Sequence, residues 1–417
     1  MLAHQSFYDV LSAADEGLPV WAPTLAGLAI LQLVDAARAD RSIIDADWAG
    51  VKVTNDAVSE LREGTPFRRP LQRILDNLRD VGPSWSAVNQ ALFAYGRALD
   101  LEGNWSLAAD VFSTVAEIAR DERDAHLAIE ATTALGGAAR RSGDWDRSAD
   151  GYATAAHLAD ALGDRASGLT VRVGTANTHI ARGNLPAARM VLDEVIEEAG
   201  TAGLDGVQAL AYHARASVAH LQGEFADAVS IAYQALGKTM NPTARDAINA
   251  DIAAAFVELG MYNAARDAYL IISATSRYQW VRWQAAVNLM ELAAIDGIED
   301  AFDTYARELR NAALDPRLRS YFLLYYGKGA ISFGREEEGR RSIADAQEFA
   351  SRHKINQVAH EASAAMAGGK EARGGKRSVP VEVPKDVIDV AEAMTHLREL
   401  ALSSPSKAND WLTPGVD

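Results

Sequence analysis

The chain has 417 residues, of which 48% are hydrophobic and 24% charged, and its 41 basic against 57 acidic residues give a net charge of −16. Because a field of this sign repels phosphate backbones, nucleic acid is not an expected partner. The sequence contains no cysteine, which excludes disulfides, thiolate catalysis and cysteine-ligated metal sites.

The first elements in chain order are helices predicted within residues 1–85, a region without a clear repeat. They are Ser6–Asp15, Pro23–Ala37, Asp45–Glu63 and Phe67–Asp80. Two interpretations of the region stay open. It is either a degenerate or capping repeat, since terminal units of repeat proteins are often atypical, or a small helical bundle with an output function.

The apolar stretch Val20–Val34 is the one candidate for a targeting segment. It is shorter than the ~20 apolar residues that a membrane-spanning helix needs. It also follows Asp9, Asp15 and Glu16, whereas a secretion signal carries positive charge at that place. We therefore expect a buried helix, no membrane association and a cytoplasmic location.

A glycine recurs at regular intervals through residues 86–350. The first four are forty residues apart and the rest follow at intervals of thirty-seven: Gly103, Gly143, Gly183, Gly223, Gly260, Gly297 and Gly334. Each lies between two stretches with helical apolar periodicity. Since glycine closes a helix in the left-handed conformation without a Cβ penalty, each glycine predicts the turn of a helical hairpin.

Side-chain size alternates in register with these glycines. Seven residues before each glycine stand Gly96, Gly136, Ala176, Ala216, Ala253, Met290 and Gly327. Five residues after it stand Ala108, Ser148, Ala188, Ala228, Ala265, Phe302 and Gly339. Nine after it the residues are mostly large: Phe112, Tyr152, Leu192, Ala232, Tyr269, Ala306 and Ile343. Small residues followed by large ones one turn later indicate interdigitated helices, with the sixth unit inverted in size.

This pattern of small residues, glycine and aromatic residues resembles the tetratricopeptide repeat (TPR), in the long variety of about forty residues found in kinesin light chains and in the sensor arms of some bacterial regulators. The resemblance covers residues 86–350. It implies an all-α, right-handed α-solenoid of about seven helical hairpins, with a helical N-terminal region and a C-terminal capping helix.

Beyond the repeats, residues 351–367 predict the capping helix and residues 368–384 a flexible basic linker rich in glycine and proline. Residues 385–417 predict an amphipathic helix with a tail. Its apolar stripe comprises Val387, Val390, Met394, Leu397 and Leu400. The stripe could dock on the chain's own repeats, on a second copy in self-association, or on another protein.

Catalytic motifs are not recognisable. His213 and His220 lie seven residues apart, whereas two metal ligands on one helix favour a spacing of four. His360-Glu361 begins a zinc-protease motif, but Ala364 stands where its second histidine belongs. We expect no enzyme, no cofactor and no metal.

The resemblance also implies a concave groove lined by first-helix residues on either side of the small position. In this register the lining residues are Arg97, Asp100, Thr133, Arg140, Asn177, His213, Ser217, His220, Asp251 and Asn288. Asparagine amides can pair with both the N–H and the C=O of an extended peptide. The family's Lys/Asn/Arg clamp for chaperone carboxylates is not expected, because Phe93, Arg97 and Ala134 occupy its positions.

The leading functional hypothesis is a non-catalytic scaffold or adaptor that binds a protein or peptide in this groove. The alternative is a peptide-responsive bacterial regulator, similar in layout to the Rap phosphatases, with its output through residues 1–85. Fold alone does not decide between them.

Overall fold

The computed structural model describes residues 3–13, 21–40, 49–79, 84–312, 314, 316–353, 355–367 and 383–403. These residues form twenty α-helices and, within the same ranges, no strand. None of the helices in this part of the chain is long and apolar enough to cross a membrane. The predicted all-α helical-repeat class is confirmed.

The chain divides into two compact units, Met1–Val195 and Ile196–Asp417. The helices that begin in the first unit are α1 (Gln5–Ala13), α2 (Trp21–Ala39), α3 (Ala49–Ser59), α4 (Arg68–Arg79), α5 (Trp85–Leu101), α6 (Trp105–Asp121), α7 (Ala125–Ser142), α8 (Trp145–Leu162), α9 (Arg165–Ala181) and α10 (Leu185–Thr201). Those of the second unit are α11 (Asp205–Leu221), α12 (Phe225–Lys238), α13 (Pro242–Glu258), α14 (Tyr262–Thr275), α15 (Gln279–Ile295), α16 (Glu299–Arg310), α17 (Pro316–Ser332), α18 (Glu336–Arg352), α19 (Asn356–Met366) and α20 (Lys385–Ser403).

The seven predicted turn glycines all have the left-handed backbone conformation, with φ between 72° and 83°. At the turn after α7, the N–H of Gly143 donates to Arg140 O at 3.2 Å and the N–H of Asp144 donates to Ala139 O at 2.9 Å. These bonds satisfy carbonyls that the helix end leaves without a partner. The predicted hairpin corners are confirmed.

Large residues of the second helix pack over small residues of the first helix, as the size pattern predicts. The contact recurs in the pairs Gly96 with Phe112, Gly136 with Tyr152 and Gly327 with Ile343. A Cβ atom added at Gly96 would lie 2.6 Å from the Phe112 ring. Only glycine allows the two helices to approach this closely.

The sixth hairpin inverts this arrangement without losing its register. Met290 and Phe302 are fully buried, although both occupy positions that are small in the other units. The Phe302 ring lies over Gly329 of α17, where an added Cβ would come 2.8 Å from Cζ, and it stacks on Tyr326 at 5.5 Å. Gly329, in the following hairpin, therefore leaves room for the large Phe302 side chain.

The four N-terminal helices pack in one hydrophobic core with α5, α6 and α7. Phe7, Leu31 and Leu71 lie in that core together with Tyr95 and Phe112. The helix bounds agree with the predicted elements to within a few residues, except that α3 begins at Ala49. Positions 14, 15, 45–48 and 80 of the predicted helices lie outside the described residues.

A buried histidine joins α2 and α6 in this core. His4 Nε2 lies 3.1 Å from Asp35 Oδ2, and Nδ1 lies 3.2 Å from Asp110 Oδ1. Burial alone lowers the pKa of His4, but the hydrogen bonds and charges of Asp110 and Asp35 outweigh it and raise that pKa to about 9. The imidazolium is therefore the form that bridges the two carboxylates.

We expect the free energy of unfolding to fall by roughly 1–3 kcal/mol between pH 6.5 and pH 9. The folded-state pKa of His4 lies above its unfolded value, so the stabilisation is complete below pH 6.5 and is lost as the pH rises through about 9. Urea denaturation at both pH values measures the loss. The His4→Gln variant should lose most of this pH dependence, and an unchanged dependence would contradict the role of His4.

The C-terminal helix α20 docks on α12 and α14 of its own chain. Val387, Val390 and Met394 are buried in the core of these helices. Thr395 and Arg398 each donate to Asp267 at 2.7 Å. The stripe considered for self-association is thus covered by the chain itself.

The prediction that Leu400 belongs to the buried apolar stripe of α20 is wrong. Leu400 is 44% exposed, and Ala401, at 4%, takes the inward position instead, because the helical period carries the buried face from Met394 and Leu397 to residue 401. Most of the predicted basic linker lies outside the described residues.

Candidate functional site

The sequence-predicted groove residues lie on the first helices of six hairpins, and none of them is buried. Arg97 and Asp100 are on α5, Thr133 and Arg140 on α7, Asn177 on α9, His213, Ser217 and His220 on α11, Asp251 on α13, and Asn288 on α15. Their side chains therefore reach solvent, as a binding surface requires.

Four of these residues come together between α11 and α13 in the second unit. Ser217, His220 and Asp251 line one cleft of about 220 Å³. His213 lies beside it, with its Nε2 at 2.8 Å from Asp251 Oδ2. The His220 ring meets the edge of Phe225 at 5.2 Å, which positions the imidazole at the cleft wall. We call this the α11–α13 cleft.

The lining of the α11–α13 cleft combines polar and apolar groups. Its remaining walls are Ala216, Leu221, Ala228 and Ala254. The volume is below the ~300 Å³ at which pockets for drug-sized ligands begin. The cleft therefore suits a single side chain better than a whole small molecule.

Three other predicted residues, Thr133, Asn177 and Asn288, lie outside the α11–α13 cleft. Thr133 Oγ1 donates to Ile129 O at 2.8 Å, and Asn288 Nδ2 donates to Gln284 O at 2.8 Å, so both use their own helix. The side-chain amide of Asn177, on α9, has no hydrogen-bond partner among the described residues. Of the two predicted asparagines, Asn177 is thus the one whose amide stays available to a peptide backbone.

In the first unit the predicted residues enter ion pairs and aromatic contacts. Asp100 pairs with Arg141, and Arg97 lies over the Phe93 ring at 5.1 Å. Burial raises the pKa of Tyr152, and the neighbouring Arg140 partly offsets that rise. The Arg140 Nε is buried and has no hydrogen-bond partner among the residues that the structure describes. These contacts connect charged side chains of α5 and α7 with each other and with Tyr152 of α8.

A second polar cluster was not anticipated from the sequence. It surrounds Glu291 of α15 and includes Tyr325 and Lys328 of α17 and Glu361 of α19. Burial raises the pKa of Glu291 to about 7, with Glu361 raising it further and Lys328 lowering it. The repeat register could have pointed to this cluster. Glu291 and Lys328 each come one residue after the small position of the first helix, which is also the place of the predicted groove residues Arg97, Asn177 and Ser217.

A larger cleft of about 410 Å³ lies where α20 meets the turn at Gly260. Several of its polar lining groups are already bound within the chain. Asp296 pairs with Arg266, and Thr395 donates to Asp267. This cleft is a by-product of helix docking and offers few free groups to a ligand.

Groups of three or more histidine, aspartate or glutamate side chains that could hold a metal ion do not occur among the described residues. The chemistry on the first-helix faces is hydrogen bonding, charge and aromatic contact.

Known proteins give little further information. No family model matches the sequence, and no curated protein matches it. The solved structures similar to this chain include BtubC (BKLC) from P. vanneervenii, at 14% identity and a TM-score of 0.31, covering 71% of this chain and 98% of that one. A circular tandem repeat protein with novel repeat topology is 15% identical, with a TM-score of 0.18, covering 94% of this chain and 97% of the other.

Similarity at these scores carries no conclusion about function. The classification depends instead on the helices and on the left-handed turn glycines at their regular spacing. The chain is a helical-repeat protein, and its membership of the tetratricopeptide family stays a prediction.

Proposed function

We propose that the chain is a non-catalytic interaction scaffold that binds a peptide or protein partner on its first-helix faces. The observation that supports this most is the α11–α13 cleft, where Ser217, His220 and Asp251 converge beside apolar side chains. A side-chain-sized recess with polar groups at its wall is what a protein partner needs for an anchor residue.

The surroundings of the α11–α13 cleft also favour a protein ligand. Leu221 lines the cleft and is 57% exposed, so a partner that covers it removes apolar surface from water. The net charge of −16 favours basic partners over acidic ones by long-range attraction. A cytoplasmic location is part of this proposal.

Serine, histidine and aspartate lie together here, as in many hydrolases, but their bonding supports binding. Nucleophilic catalysis needs a serine hydroxyl that is hydrogen-bonded to the histidine ring. Ser217 Oγ instead donates to the backbone oxygen of His213 at 3.2 Å. The His213–Asp251 pair therefore orients a side chain at the surface without activating a nucleophile.

The alternative of a regulator with output through residues 1–85 gains no specific support. The N-terminal helices bury Phe7, Leu31 and Leu71 in the same core as the first hairpins. Helices committed to a shared core suit a capping role, because an output domain must be able to move or bind independently.

Photo-crosslinking from inside the α11–α13 cleft tests the proposal. We expect p-benzoylphenylalanine in place of Ser217 to yield adducts with a small set of proteins in extracts of the source cells. An excess of unmodified protein should abolish these adducts, because both forms compete for the same partners. Mass spectrometry identifies the products.

The matched control carries the same photoreactive residue at Gln234, which is exposed on the second helix α12 of the same hairpin. If Gln234 gives the same adducts as Ser217, or if unmodified protein does not compete, the first-helix face is not the binding surface.

A further inference from the structure

The cluster on α15, α17 and α19 has the composition of a site for a cation. Lys328 Nζ lies 3.8 Å from Glu361 Oε2 and 5.8 Å from the centre of the Tyr325 ring. The rings of Tyr321 and Tyr325 lie 5.6 Å apart. We call the surface formed by Glu291, Tyr321, Tyr325, Lys328 and Glu361 the Glu291 recess.

Glu291 is the residue of the recess without a partner. Its carboxylate makes no hydrogen bond or ion pair within the part of the chain that the structure describes. The nearby ammonium of Lys328 is paired with Glu361. Two carboxylates thus lie near one ammonium, and Glu291 is half-buried, with burial raising its pKa to about 7.

An uncompensated carboxylate that is partly removed from water is costly, so it takes up a proton or pairs with a cation. The neighbours Met290 and Leu292 on α15 are buried, so the helix cannot turn Glu291 outward without exposing them. Below about pH 7 a proton neutralises Glu291, and above that pH a cation from outside the chain can supply the counter-charge.

The tyrosines restrict the chemistry of that charge. The face of an aromatic ring attracts ammonium and guanidinium groups. Tyr325 already contacts one ammonium, that of Lys328. Carboxylates beside aromatic rings on a groove-facing surface suit an organic cation and repel an anion.

We propose that the Glu291 recess binds the lysine or arginine side chain of a basic peptide segment in the partner. This inference rests on the proposed function and names the chemistry of the partner. The incoming cation takes the position beside Glu291 that no residue of the chain fills, and the tyrosine rings flank its aliphatic stem.

Direct binding of synthetic peptides to the full chain tests the inference. The probes are two capped peptides of equal length, one alternating lysine with serine and the other glutamate with serine, measured by isothermal titration calorimetry at physiological salt. We expect the lysine peptide to bind at pH 8 and the glutamate peptide not to bind. Glu291→Gln should weaken lysine-peptide binding about tenfold or more, since it removes a charge-assisted contact.

The control variant Glu337→Gln makes the same change in net charge at an exposed position of α18 and should leave the affinity within about twofold. Lys328→Met should act in the opposite direction and tighten lysine-peptide binding, because it removes the competing ammonium. A loss of folding cannot produce a tighter complex, so this variant separates binding from stability.

A pH series adds a readout that belongs to Glu291 alone. Between pH 6 and pH 8 the affinity of the wild type for the lysine peptide should rise as Glu291 loses its proton. Lys328, Glu361, Tyr269 and Tyr325, which face this carboxyl, are all retained in Glu291→Gln, so the absence of the rise in that variant assigns it to Glu291.

Three results would overturn the inference: equal weakening by Glu291→Gln and Glu337→Gln, no tightening by Lys328→Met, or no preference for lysine over glutamate. If the peptides fail while Ser217 still captures competed partners, the scaffold proposal stands and only the cationic specificity is wrong.

Discussion

Replacing Phe112 with alanine should lower the free energy of unfolding by about 3–5 kcal/mol. The side chain is fully buried, and its ring covers Gly96 and contacts Phe93 at a centroid distance of 5.4 Å. Alanine would leave a cavity that the close helix contact at Gly96 cannot fill by collapse. Urea denaturation followed by far-ultraviolet circular dichroism measures the change.

The control for this prediction is Leu162→Ala. Leu162 lies on α8 in the same unit and is 46% exposed, so its truncation removes much less buried surface. We expect a loss of less than about 1 kcal/mol. Equal losses for Phe112→Ala and Leu162→Ala would show that Phe112 does not hold the hairpin core together.

Replacing Gly174 with alanine should destabilise the protein by about 1–3 kcal/mol, although alanine favours helices. A Cβ at Gly174 would lie 2.6 Å from Cζ and 2.9 Å from the hydroxyl of Tyr152. The ring has little room to move away, because it also packs against Gly136, where an added Cβ would lie 2.9 Å from Tyr152 Cδ1. Thermal and urea unfolding both report the loss.

Gly168→Ala is the matched control, since it makes the same change on the same helix α9. A Cβ there would have only Ala159 as a neighbour, at 4.0 Å. This variant should gain up to about 1 kcal/mol from helix propensity. We expect the free energy of unfolding to rise for Gly168→Ala and to fall for Gly174→Ala. Stabilisation by both changes would contradict the close contact between Gly174 and Tyr152.

A shorter side chain at position 152 should relieve the strain of Gly174→Ala. In the double variant with Tyr152→Leu, the effects of the two changes should be non-additive, because they share one contact. Simple addition of the two losses would indicate that the alanine at position 174 acts through another neighbour.

Much of the repeat architecture follows from the sequence, because its signals are local. The turn glycines were predicted from spacing alone, and each adopts the left-handed conformation that only glycine takes without cost. The pairs Gly96 with Phe112 and Gly136 with Tyr152 followed from size alternation within one hairpin. Helix bounds follow from a periodicity that is complete within a few turns.

The candidate site was predictable in part. The residues that the first-helix register selects all reach solvent, and Ser217, His220 and Asp251 line one cleft. The register could not foresee that Thr133 and Asn288 bond to their own helices, because rotamers depend on the local surroundings. Whether these residues bind a partner stays a prediction.

The Glu291 recess was not predicted from the sequence, because the sixth hairpin departs from the size pattern that defines the repeat register. Met290 and Phe302 break the local size rule, and the glycine that accommodates Phe302 lies in the next hairpin, at position 329. The recess itself needs three helices, since Glu291, Lys328 and Glu361 belong to α15, α17 and α19.

The sequence by itself therefore determined the hairpins and their turns, since these depend on backbone preferences and periodicity within about forty residues. Only the tertiary structure decided where α20 docks, how Phe302 is accommodated and which charges share one recess. Those outcomes depend on volumes and charges that meet across distant segments, and no local pattern records which partners will meet.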